Sequence, residues 1–230
     1  MRIVLTGILI AGLISGCGSN VKLEAPTIPK PLINKIPASV GLRMPADFHN
    51  FLHEEEIIGR EEWSIDLGNS NAALFTQLFG FMFENVTVLN STDDPKDFDI
   101  DALIEPSIDA FEFSVPNQSK TESFAVWIRY RILVYDHEGD EVADWPVSAY
   151  GKSETASVSG SQALQRAAVL AMRDAAALMI MKLDQATGIS SIAAARVAMG
   201  DPAPSIATDD AETTIGAETT AQEESSSETE

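Results

Sequence analysis

The chain has 230 residues, with 15 Lys and Arg against 35 Asp and Glu and a formal net charge of -20 at pH 7. Recognition of phosphate backbones or anionic headgroups needs a basic face, so this composition excludes nucleic acid as a partner. Cys17 is the one cysteine, which excludes an intrachain disulfide and a multi-cysteine metal site and leaves packing to hold the fold. In chain order, Arg2 gives a positive start and residues 3–14 are apolar and uncharged. That run is shorter than the ~20 residues that span a bilayer and has the size of an export signal. Residues 18–36 carry Pro26, Pro29 and Pro31 with little periodicity and are predicted to be an extended tether.

Residues 39–44 read as a first strand stopped by Pro45, and 47–58 as a turn or two of helix before Gly59. Residues 63–67 alternate as a second strand. Gly68-Asn69-Ser70-Asn71 offers loop and N-cap chemistry ahead of Ala72, Leu74, Phe75, Leu78, Phe79 and Met82, whose spacing predicts an amphipathic helix. Residues 85–89 form the next strand, and the segment from Ser91 to Pro95 an exposed loop. The strand over 100–115 changes phase near Ala110 and Phe111, which predicts a bulge. The clearest strand carries Phe124, Val126, Ile128, Tyr130, Ile132 and Val134 at period two.

A turn at His137-Glu138-Gly139-Asp140 then leads into a return strand over 141–152, where Pro146 demands an edge or a bulge. Residues 161–183 complete the series as a long helix with Leu164, Ala168, Ala171, Ala175 and Leu178 on one face. From Asp201 to Glu230 there is no Lys or Arg, and such a segment cannot bury enough apolar surface to offset its chain entropy. Its functional alternative is an acidic docking tail. The predicted organisation is a signal over 1–16, a tether over 17–38, one domain over 39–186 and an acidic, largely disordered tail over 187–230. The domain is predicted to be α+β, with a mixed, mainly antiparallel sheet and two helices packed on one face.

The search for chemistry finds little. Histidines are limited to His49, His53 and His137, no serine sits in a glycine-flanked elbow, and Gly68 and Gly80 are isolated rather than grouped as a phosphate loop. His49 and His53 are four apart, a spacing that puts both imidazoles on one helix face beside Glu54, Glu55 and Glu56 and suits zinc. Two ligands do not define a site, however, and Asn50 stands where the metalloprotease pattern needs glutamate. Solvated histidines beside an acidic patch are the preferred reading. Asp136, Glu138, Asp140 and Glu141 lack the loop length and ligand alternation of an EF-hand and read as a charged hairpin tip. Trp127, Arg129, Arg131 and Tyr135 share the strand face opposite the apolar ladder, which is either a binding surface or a second sheet side covered by side-chain stems. No catalytic group and no cofactor is expected.

Leu13-Ile14-Ser15-Gly16-Cys17 resembles the lipobox of bacterial lipoproteins, with isoleucine where the family most often has leucine. In that family the nucleophilic thiol takes a diacylglycerol and cleavage makes the cysteine the new N-terminus, so the resemblance implies lipidation of Cys17. The alternative is a plain signal peptide, or an N-terminal anchor, that happens to end at a cysteine. Acyl chains contribute about 0.8 kcal/mol per buried methylene, so two or three of them hold a protein on the membrane permanently. Gly18, rather than aspartate, follows the cysteine, which in the Gram-negative family implies the outer membrane, facing the periplasm. In element order and size, residues 39–183 are similar to the ABC-transport auxiliary lipoproteins and the lipopolysaccharide-assembly lipoprotein. Val40-Gly41-Leu42-Arg43-Met44-Pro45, the segment 63–68 and the phenylalanine-rich helix ending near Val86 are also similar to uncharacterised bacterial lipoproteins. By analogy this implies a non-enzymatic outer-membrane accessory or assembly component of an envelope transport system, acting by binding another envelope protein. The alternative is a periplasmic small-ligand or metal-binding lipoprotein using His49 and His53, with a hydrolase third.

Overall fold

The computed structural model describes residues 19–24, 26–57, 61–116, 122–155 and 159–200. Its strands are β1 (Ser19–Lys22), β2 (Ile36–Arg43), β3 (Leu52–Ile57), β4 (Glu61–Asp66), β5 (Phe83–Leu89), β6 (Ala102–Ser114), β7 (Ser123–Asp136) and β8 (Glu141–Glu154). Its helices are α1 (Ala46–His49), α2 (Gly68–Met82), α3 (Gly160–Thr187) and α4 (Ile189–Ala198). The predicted α+β class and mixed sheet are present. Five strands lie in the order β5-β2-β6-β7-β8, parallel at β5–β2 and β2–β6 and antiparallel at β6–β7 and β7–β8.

The period-two ladder of β7, from Phe124 to Val134, is buried throughout and faces the helix layer. The predicted bulge lies in β6, where Ile108 faces Tyr130 and Ala110 faces Arg129, leaving Asp109 as the extra residue. This inversion of phase keeps Phe111 and Phe113 opposite Ile128 and Val126 on the core side. Pro146 lies on β8, the sheet edge, as its missing donor requires. The N–H of Tyr150 on the same strand donates to Asp174 Oδ2 of α3 at 3.0 Å. Period two puts position 146 on the same outward side as 150, so the proline leaves no ladder bond unmade.

Two long helices cover the core side. On α3, alanines at 163, 167, 168, 171, 175 and 176 are buried with Leu164, Met172, Met179 and Leu183, so the helix lies close against β8 and β7. α2 contributes Leu74, Phe75, Leu78, Phe79 and Met82. Its first turn contains Gly68 to Asn71, the residues predicted as loop and cap. The fully buried Tyr130 hydroxyl donates to Asn71 Oδ1 at 2.7 Å, and burial pushes its phenol far above the ordinary value of 10.0. Asn71 Nδ2 is itself buried without a partner. Tyr130→Phe strands the Asn71 carbonyl and should cost about 1–3 kcal/mol, whereas the double variant with Asn71→Leu removes both polar groups and should recover part of the loss. Urea denaturation of the two variants measures this coupling.

Three expectations are corrected. The segment read as a tether enters the fold: β1 pairs in parallel with β4, and Val21, Leu23 and Ile28 are buried. It is pinned to both long helices, by Ser70 Oγ donating to Leu23 O at 2.6 Å, Gln77 Oε1 accepting from Ile28 N at 3.2 Å and Arg173 donating to Thr27 O at 3.1 Å. The prolines interrupt periodicity without preventing isolated apolar side chains from docking.

The second correction concerns the helix read over 47–58, which stops at His49. Residues 52–57 instead form β3, antiparallel to β4, giving a second sheet of order β1-β4-β3. Val21, Trp63, Ile65 and Ile57 point inward from it, while Asn20, Lys22, Glu54, Glu56 and Glu62 are exposed on its outer side. In this register the alternation of residues 53, 55 and 57 pays for burial of Ile57, which overrides a weak helical preference. The third is that the predicted tail begins with a helix, α4, whose Ile189 and Ala193 are buried. Arg196 on α4 donates to Asp99 at 2.7 Å and to the Ile100 carbonyl at 3.0 Å, fixing the helix to the start of β6. Residues 201–230 of that tail lie outside the described residues. Among the described residues no helix is long and apolar enough to cross a membrane.

Candidate functional site

Both long helices pack on one side of the five-stranded sheet, and the other side carries alternate residues of β6, β7 and β8. Trp127, Arg129, Arg131 and Tyr135 all point to this side, as their parity on β7 requires. The structure gives them different surroundings. Trp127 faces Tyr150 across the β7–β8 ladder, with ring centroids 5.1 Å apart and 46° between planes. They are 45% and 44% exposed, large values for two aromatics already in contact. Trp127 and Arg129 border a depression of about 250 Å³ that Glu112 and Ser148 also line.

Arg131 is engaged on both sides. Its guanidinium donates to Asp109 at 2.8 and 3.0 Å and to Asp144 at 2.6 Å. Arg129 stands 3.8 Å from the Asp109 carboxylate. The hydrogen bond from Arg131 holds the Asp109 carboxyl below its ordinary value of 3.8, with the charges of Arg131 and Arg129 acting in the same direction against some desolvation. A carboxyl whose pKa is lowered by folding contributes stability that is complete above the unfolded value and is lost as pH falls through the folded one. The stability difference between the parent chain and Asp109→Asn should therefore be present at pH 7 and shrink below about pH 4, which acid titration of the two unfolding midpoints measures.

Tyr135, at the far end of the strand, packs against the cluster of Leu89, Ile100 and Leu103. Desolvation raises its phenol pKa, with the negative charge of Glu105 adding to the effect. The exposed part of the face is thus the Trp127–Tyr150–Arg129 end. The structure adds Tyr150, Glu112 and Asp109 to the four residues legible in sequence. The loop runs from His137 to Asp140, and its register alone would set Trp127 against Ala149; the irregularity between Val134 and Tyr135 moves the pairing on by one residue to Tyr150, so the turn by itself does not reveal it.

Cys17 lies outside the described residues. His49 and His53 do not share a helix face, because His49 ends α1 and His53 sits on β3. The His53 ring packs at 5.0 Å from Phe111 and 5.8 Å from Phe113, and its Nε2 lies 3.3 Å from Glu55 Oε2. It is half-buried against aromatics rather than solvated. The carboxylates of Asp136, Glu138 and Asp140 come within 4.8 Å of one another. Asp136 Oδ1 accepts the backbone N–H groups of Glu138 and Asp140, each at 3.0 Å, so it is employed in closing the hairpin turn.

No protein-family model and no curated protein matches the chain. Among solved structures it is similar to a hypothetical protein of Chlamydia trachomatis, at 10% identity and a TM-score of 0.40 over 65% of this chain and 98% of that one. A minor lipoprotein of Acinetobacter baumannii gives 12% identity and a TM-score of 0.37 over 69% of this chain and 94% of that one. A lipoprotein of Neisseria meningitidis gives 13% and 0.26 over 55% and 90%.

Proposed function

We propose that this chain is a non-enzymatic lipoprotein anchored through Cys17 to the periplasmic face of the outer membrane, where it serves as an accessory component of an envelope transport or assembly system. Its binding surface is the sheet side opposite the helices. The observation that carries this reading is the Trp127–Tyr150 pair, two large aromatic side chains left nearly half exposed on the sheet beside Arg129. Exposed aromatics next to arginine have the composition of interface anchors, because they bury much area at little cost in side-chain entropy. Arg129, with its guanidinium 3.8 Å from Asp109, remains open enough to meet a carboxylate of a partner. The small-ligand alternative loses its pair, since His49 and His53 lie on different elements and His53 is occupied by Phe111 and Phe113.

The test is co-purification of the lipidated chain from detergent-solubilised envelopes, with mass spectrometry of what accompanies it. An envelope protein should be recovered with the parent chain and lost with Cys17→Ala. Trp127→Ala should weaken the isolated complex by about 2 kcal/mol or more, a thirty-fold rise in Kd, while costing the fold about 0.5–1.5 kcal/mol through the lost contact with Tyr150. Recovery that is indifferent to Trp127, or the absence of any accompanying protein, would sink the proposal.

A further inference from the structure

We infer that lipid on Cys17 seats the domain directly against the headgroup layer through the acidic surface around Ser19, with the β7–β8 hairpin tip directed away from the bilayer. This rests on the lipidation proposed above. It departs from the tethered arrangement expected from sequence, and the reason is the position of β1. Ser19 is already in the fold, hydrogen-bonded as a strand and paired with Trp63. Two covalent steps of about 3.8 Å separate Cys17 from Ser19, so the lipid-bearing residue stands within roughly 8 Å of a fixed point on the domain.

That point lies at one end of the long sheet. The ring of Trp63, the register partner of Ser19, is 5.7 Å from Phe124 at the beginning of β7 and 6.1 Å from Phe113 near the end of β6. β7 has 14 residues, and its final residue, Asp136, opens the hairpin turn. At about 3.3 Å per residue the turn stands roughly 40 Å from the end that holds Ser19. With so short a link the two ends cannot exchange positions relative to the bilayer. The surface around Ser19 is a depression of about 450 Å³ shared with Asn20, Glu54, Glu55, Glu56 and Glu62. Carboxylates in this position favour headgroups that present an ammonium group and oppose anionic ones. The same orientation brings Trp127, four residues from the start of β7, within roughly 15 Å of the anchored end, so a partner bound there contacts the domain close to the same membrane.

The experiment uses the mature lipidated full chain on phosphatidylethanolamine–phosphatidylcholine vesicles containing headgroup spin-labelled lipid. A fluorophore is attached either at Glu54→Cys or at Glu138→Cys, both exposed positions. Quenching should be several-fold stronger at position 54 than at 138. A thirty-residue Gly-Ser insertion between Gly18 and Ser19 should abolish that difference while the chain stays on the vesicles. Equal quenching at the two positions without the insertion overturns the fixed orientation, with the anchor intact. Failure of the chain to sediment with vesicles overturns the lipidation reading instead, and the orientation with it.

Discussion

Gly151→Ala is expected to destabilise the fold by about 3 kcal/mol, at the upper end of the cost of overpacking a close-packed interior. Gly151 lies on β8 opposite Val126, on the core side, where α3 presses against the sheet. A Cβ built there would lie 2.0 Å from the Ala167 carbonyl oxygen and 2.4 Å from the Ala171 nitrogen. Both atoms are helix backbone, so no rotamer change relieves the clash, and the whole helix must move outward. Moving it would loosen the alanine-lined contact along α3 and disturb the hydrogen bond from Tyr150 N to Asp174. Gly80→Ala provides the control, because nothing stands within 4 Å of the added carbon on α2. There the better helix propensity of alanine should add up to about 1 kcal/mol. Urea midpoints should therefore move in opposite directions for two chemically identical substitutions. A fall at both positions, or at neither, would contradict the close approach of α3 to β8.

Deletion of Asp109 is expected to leave cooperative folding in place, whereas deletion of Glu112, three residues on, should cost about 1.5–3 kcal/mol more. As the extra residue of the bulge Asp109 inverts the phase of β6, so that Phe111 and Phe113 face the core together with the even-numbered positions upstream. Removing it joins Ile108 to Ala110 and leaves a regular strand in which Ala110 still faces Arg129 and Phe111 still faces Ile128, so no core residue changes side. What is lost is its side chain, which pairs with Arg131 and Arg129 at a solvent-facing surface, where such pairs contribute roughly 1 kcal/mol or less. Removing Glu112 instead makes Phe111 and Phe113 neighbours in sequence, and strand alternation turns one of them to solvent. Urea denaturation should show a small loss for the first deletion and a larger one for the second, and equal losses would contradict a bulge at position 109.

The same bulge illustrates what is legible in the sequence. The apolar positions of β6 change parity near Ala110, and this alone locates the irregularity to within a residue. Strong periodicity also marks β7, α2 and α3, which is why the antiparallel strands around β7 and the two covering helices were readable, whereas the departure of β4 from that sheet was not. The three-stranded sheet was hidden for the opposite reason. β1 contributes only Val21 to the core from four residues, and β3 contributes Ile57 from a run of glutamates, so neither has enough apolar residues to show a period. Their place is dictated by pairing with β4, which is contact information rather than local pattern.

At the candidate site, strand parity placed Trp127, Arg129, Arg131 and Tyr135 on one side, and that placement needed no tertiary knowledge. Parity does not reveal which of them remain available. Asp109 and Asp144 occupy Arg131, and Leu89, Ile100 and Leu103 receive Tyr135, all through neighbours brought in by the rest of the fold. The apparent His49–His53 pair failed on the same ground, since a four-residue spacing carries meaning only if the helix continues through both residues.

The proposed lipid on Cys17, which would hold this domain at the membrane, is read directly by intact-protein mass spectrometry of the chain extracted from the envelope of its native cell. The mature chain should begin at Cys17 and carry the added mass of a thioether-linked diacylglycerol, with or without a further acyl chain on the new N-terminus. A mature chain with a free thiol at Cys17, or one cleaved at another position and recovered in the aqueous fraction, would contradict it.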